Sequence, residues 1–232
     1  MSEITSAEWT AILLSLRVAV IATLVATPFG IALAWLLARY NFWGKSALDA
    51  LVHLPLVLPP VVTGYLLLLA LGRRGLVGAW LADNLGIVFA FRWTGAALAC
   101  GVMSFPLLVR PMRLSIEAVD QRLEQAAGTL GAAPWRVFLT VTLPLALPGV
   151  LAGMVLGFAK AIGEFGATIT FVSNIPGETQ TIPAAIYTYT QTPGGDAGAL
   201  RLCLIAVALS FAALVASELL SRRTGQRRAG FE

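Results

Sequence analysis

The chain has 232 residues, 58% of them hydrophobic and only 12% charged, with a net charge of +4 and a mean hydropathy of +0.82. A soluble domain carries about twice that charged fraction, and no interior of this size hides so much apolar surface. Composition therefore excludes a water-soluble globule and makes lipid the solvent; the basic residues read as topology signals, not as a nucleic-acid surface.

Five apolar stretches, near residues 11–38, 48–72, 88–110, 143–164 and 201–221, reach the about 20 residues that cross a hydrocarbon core of about 30 Å. They predict an all-α, polytopic membrane bundle of five transmembrane helices in a single domain. The first stretch, about 28 residues or roughly 42 Å of helix, must tilt or protrude. It is too long for a signal peptide and lacks the basic segment that precedes one. Just after it, Gly44-Lys45-Ser46 matches the end of a phosphate-binding loop, but Arg39 stands where the first glycine belongs. No ATP site is expected from that motif.

The second stretch holds Pro55, Pro59 and Pro60. Proline strands carbonyls that, in lipid, must find other partners or face water. The span is expected to be kinked and turned toward the protein interior, with Pro59 and Pro60 either a gate element or a static packed kink. His53, the single histidine, has no cysteine or acidic cluster beside it, so no metal site is predicted. Within residues 73–87, Leu76–Leu85 is predicted as a short interfacial helix. Arg92 lies near one end of the third stretch and can snorkel.

Residues 111–142 form a polar island. Ile116 to Leu130 is rich in Glu, Gln, Ala and Leu, with Leu123, Ala126, Ala127 and Leu130 at helical spacing. Gly131 is a stop signal, and Pro134 suits the first turn of a second helix, Pro134 to Val141. The expectation is a helix–turn–helix on the membrane surface. Small Ala126 and Ala127 would let another chain approach, and Trp135 and Phe138 would anchor it; an ordinary amphipathic surface helix is the alternative.

Near the end of the fourth stretch, Lys160 and Glu164 can pair across one turn. Glu164 reads as that structural pair, as a cap, or as an ion site, although a bare carboxylate repels an anion. Thr168, Thr170 and Ser173 offer hydroxyls to an oxyanion or to their own backbone. Turn signals at 174–177 and 193–196 bracket a short helix expected from Pro183 to Tyr189. Cys100 and Cys203 lie in apolar runs and read as buried hydrophobes without a disulfide.

Lysine and arginine set the orientation. With the C-terminus cytoplasmic, inside segments carry Arg39, Lys45, Arg110, Arg113, Arg122, Arg136, Arg222, Arg223, Arg227 and Arg228. Outside or near the outer ends are Arg17, Arg73, Arg74, Arg92, Lys160 and Arg201, so ten stand against six. The N-terminus is expected outside and the island at 111–142 inside. Trp9, Trp80 and Trp93 then fall at the outer interface and Trp35 and Trp43 at the inner one.

Ala126-Ala127, three residues, Gly131, and an apolar segment ending Leu143-Pro144 resemble the signature loop of binding-protein-dependent ABC importer permeases. The runs His53 to Val62, Gly163 to Thr168 and Phe171 to Thr179 are similar to the molybdate branch of that family, and the resemblance covers nearly the whole chain. Sulfate and thiosulfate permeases share Gly163-Glu164-Phe165-Gly166, so Asn174 to Thr179 is the more selective run. The family's usual glutamate stands at the position of Gln125, with Glu124 just before it. The change keeps a polar side chain but loses its charge.

The resemblance implies a non-enzymatic permease subunit of the inner membrane, without a cofactor of its own. Its loop at 111–142 would couple to cytoplasmic ATPase subunits through Glu124, Gln125, Ala126, Ala127, Gly131 and Trp135. Two copies would form the pathway, with Pro59, Pro60, Glu164 and Thr168 as candidate pathway or gate residues. A periplasmic oxyanion-binding protein would deliver molybdate, with tungstate, sulfate or thiosulfate as alternatives. A secondary anion transporter would show inverted repeats or paired intramembrane charges. A membrane enzyme would need a nucleophile with its base, metal ligands or paired carboxylates. Beyond Lys160 and Glu164 the sequence offers neither pattern.

Overall fold

The computed structural model describes residues 4–229, with side chains described through residue 216. Helix α1 (Ser6–Arg39) opens on a capping box: Thr5 Oγ1 accepts from the Glu8 N–H at 3.3 Å, and Glu8 Oε2 accepts from the Thr5 N–H at 2.7 Å. Glu8, 1% exposed, also accepts from Arg201 at 2.7 Å. That pair ties the start of α1 to the last helix, and nothing local in the sequence announced it.

Helix α5 (Trp93–Glu117) is the centre of the bundle, packed between α1 and α8 (Leu143–Ile162). Small residues allow this close approach, as they commonly do between helices in membranes. At Gly153 of α8 a Cβ would lie 2.4 Å from the carbonyl oxygen of Leu108, so only glycine fits. Leu108, Val109, Met112 and Ile116 of α5 are fully buried there.

The second span is broken, not kinked. Helices α2 (Lys45–Val57) and α3 (Pro60–Leu71) meet at 114°. Leu58 and Pro59, each followed by a proline, are both extended (ψ 142° and 132°), because a following proline disfavours the helical region. Pro60 then takes the first position of α3, where its missing N–H costs nothing. Helix α4 (Leu76–Leu85) falls on the residues expected.

The polar island is also built differently from the expected hairpin. Helix α5 continues to Glu117, and the chain breaks at residues 118–120 before α6 (Gln121–Thr129). Asp120 causes the restart: its Oδ1 accepts from the Arg122 N–H at 2.9 Å as the N-cap. The second helix, α7 (Pro134–Val137), does not end as a separate element. It runs through a π-helical stretch, Phe138–Thr142, into α8, giving one rod from Pro134 to Ile162. The Leu143 N–H reaches back to the Phe138 carbonyl, placing the π turn just before Pro144, which has no N–H to offer.

Beyond α8 lie α9 (Gly166–Val172), which the sequence reading missed, α10 (Ile182–Thr190), close to the helix expected there, and α11 (Asp196–Ala229). Among the described residues four helices are long and apolar enough to cross a membrane, or five if the bent pair α2–α3 counts as one span. Cys100 and Cys203 are both free.

Candidate functional site

Helix α6 is amphipathic, yet none of its residues is buried. Leu123 (50% exposed) and Leu130 (88%) stand open on it, and Trp135 (59%) stands open on α7. Gln125 and Ala126 are exposed and Ala127 is half-buried. Gly131 makes the turn with φ +84°, a conformation that favours glycine, and the space around it is empty. Gln125, Ala126, Ala127, Gly131 and Trp135 thus share one end of the bundle. Leu123, Ala126, Leu130 and Trp135 offer exposed apolar surface there.

Glu124 behaves differently. Its Oε1 accepts from Arg39 Nε (3.2 Å) and Nη2 (2.8 Å), and from Thr142 Oγ1 (2.6 Å). The Arg39 and Glu124 side chains are 9% and 19% exposed. The same guanidinium donates to the Val119 carbonyl at 3.0 Å. Trp35 lies beside this cluster, against Phe138 (4.9 Å between centroids) and Tyr40 (5.4 Å). A cleft of about 370 Å³ runs along it, lined by Trp35, Arg39, Glu124, Gln125, Phe138 and Thr142 among others. Arg39 and Thr142 were not among the expected site residues. Nothing short-range in the sequence pairs Arg39 with a carboxylate 85 positions away.

Of the candidate pathway residues, Pro60 lies at the break against the segment that carries Glu164 and Thr168. Gly166 of α9 lies so close to Pro60 that a Cβ there would sit 2.7 Å from the proline Cβ, and Gly64 of α3 meets Ala167 in the same way. Glu164, 2% exposed, accepts from Lys160 Nζ at 2.6 Å and from the Ala167 N–H at 3.0 Å. It is both the expected ion pair and the expected cap. Thr168 and Thr170 donate to the carbonyls of Phe165 (2.9 Å) and Gly166 (2.8 Å), so their hydroxyls serve the local backbone. His53 Nδ1 faces the Asp49 carbonyl at 2.8 Å, and no metal-binding cluster occurs among the described residues.

Residues 26–226 match the model of one family, the binding-protein-dependent transport system inner membrane component. The chain belongs to this family. Two of its relatives are molybdenum transport system permease proteins named ModB. That of Escherichia coli K12 is 62% identical over 97% of this chain and 98% of its own, and that of Haemophilus influenzae 61% identical over 93% and 94%. The fold is similar to a chain of a bacterial ABC transporter that imports the acidic polysaccharide alginate, with a TM-score of 0.74 at 18% identity, covering 94% of this chain and 80% of that one. The family places the chain as a multi-pass inner-membrane permease subunit of a binding-protein-dependent ABC transporter.

Proposed function

We propose that this chain is the membrane-spanning subunit of an ATP-driven molybdate importer. The observation that carries the substrate is the 62% identity with a molybdenum permease over 97% of the chain. Molybdate, tungstate and sulfate are all tetrahedral dianions, and no side chain near α3 and α9 is visibly sized to one of them. Selection among them is therefore assigned to a periplasmic oxyanion-binding protein.

The basic residues favour a bundle with its N-terminus outside and α6 in the cytoplasm. There the open surface of Leu123, Ala126, Leu130 and Trp135 would receive a cytoplasmic ATPase subunit. Five crossings barely enclose a pathway, so two copies of this chain would form it between them. The chain itself is a transport subunit and not an enzyme.

Uptake of radiolabelled molybdate into proteoliposomes with the binding protein and ATPase tests the substrate. Saturable, ATP-dependent uptake that excess sulfate leaves intact is expected. Complete competition by equimolar sulfate, at the level of the binding protein and of uptake, would point to a sulfate permease instead.

A further inference from the structure

Burial does not hold α6 in place, since none of its residues is buried. Asp120 caps the helix locally, and Thr129 bonds Ala126 within it. Among the described residues, Glu124 is the α6 side chain that bonds distant elements. It reaches Arg39, the last residue of α1, and Thr142, the last residue of the π stretch leading into α8. Thr142 is 1% exposed, so its hydroxyl has little access to water as a substitute partner. Arg39 also grips the Val119 carbonyl, just before the α6 cap, so the clamp holds the start of the helix from two sides. The contacts are short and charge-assisted, the strong class of hydrogen bond.

We propose that Glu124 is a positioning residue for energy coupling: through Arg39 and Thr142 it fixes α6 to the ends of α1 and α8, so that a displacement imposed on α6 is carried into the membrane bundle. The inference rests on the reading of α6 and α7 as the ATPase docking segment. It also separates two roles the sequence had merged. Ala126 and Trp135 stand open toward a partner, while Glu124 reaches inward and connects, with Gln125 bordering the same cleft.

The test uses the complete transporter in proteoliposomes, reading ATPase association, thermal stability, ATP hydrolysis and molybdate taken up per ATP. Glu124→Ala and Arg39→Ala are expected to keep wild-type ATPase association and hydrolysis while uptake per ATP falls about tenfold, within the roughly 5–150-fold range of coupling between sites. Because both variants break one linkage, the double variant should be no worse than either single one. Unchanged uptake per ATP overturns the proposal. So does loss of ATPase association in Glu124→Ala but not in Arg39→Ala, which would make Glu124 a direct partner contact. Should the alanine variants not accumulate in the membrane, Glu124→Gln and Thr142→Val carry the same test, and unchanged uptake per ATP in both overturns it. Absence of ATP-driven uptake in the unaltered transporter would instead contradict the proposed function.

Discussion

Gly64 of α3 lies directly against the backbone of Ala167 in α9: a Cβ at Gly64 would sit 2.4 Å from the Ala167 carbonyl oxygen. The contact holds α3, the second half of the bent pair, against the short helix that follows α8. Backbone on the far side cannot rotate away as a side chain could, so Gly64→Ala must push the two helices apart. Overpacking of this kind costs roughly 1–3 kcal/mol, and a lowered Tm in detergent is the expected result. Gly101→Ala provides the contrast, since the nearest atom there, the Ala22 carbonyl oxygen, is 3.8 Å away. That variant should match or slightly exceed the parent Tm, because alanine is the better helix former by about 1 kcal/mol.

Glu164 separates a structural carboxylate from a transporting one. It accepts from Lys160 and from the Ala167 N–H at the start of α9. Glu164→Gln retains an acceptor for that N–H, so folding and molybdate uptake are expected to survive. Glu164→Ala removes the acceptor from a buried donor and should lower stability by about 1–3 kcal/mol. Uptake assays on both, with Tm measured in parallel, decide the matter. A stable Glu164→Gln protein that no longer transports would make the carboxylate an ion site.

Trp135 and Gly131 test the docking surface without touching the clamp at Glu124. Trp135 is an exposed aromatic of the kind that dominates binding energy once covered, commonly by about 2 kcal/mol or more. Trp135→Ala should therefore weaken ATPase association about thirtyfold or more while the chain still inserts in the membrane. Gly131→Trp strains a turn held at φ +84° and adds bulk to the open space beside it, and should also reduce co-purification with the ATPase. Normal co-purification of both variants would place the docking surface elsewhere.

Much of the fold was legible because its signals are local. Composition marked lipid as the solvent, and four of the five apolar runs fall on helices long enough to cross a membrane. Leu76–Leu85 matched α4, and Gly131 and Pro134 took the turn and first-helical positions expected of them. What was missed depends on combinations or on distance. Each of Pro55, Pro59 and Pro60 alone suggests a kink; it is the tandem Pro59-Pro60, with Leu58 also forced extended, that produces a 114° break. Helix α9 is too short to stand out and is held by Pro60, Gly64 and the Glu164 cap. The partnership of Arg39 with Glu124 joins the end of one helix to a surface segment 85 residues later. No spacing rule reaches that far.

ATP hydrolysis by a partner subunit is expected to drive passage through this chain. Proteoliposomes containing the chain, loaded binding protein outside and radiolabelled molybdate test it most directly, with and without the ATPase. Uptake should appear only when both the ATPase and internal ATP are present. Uptake that persists at the same rate without the ATPase would contradict the claim and make the chain a secondary transporter or channel.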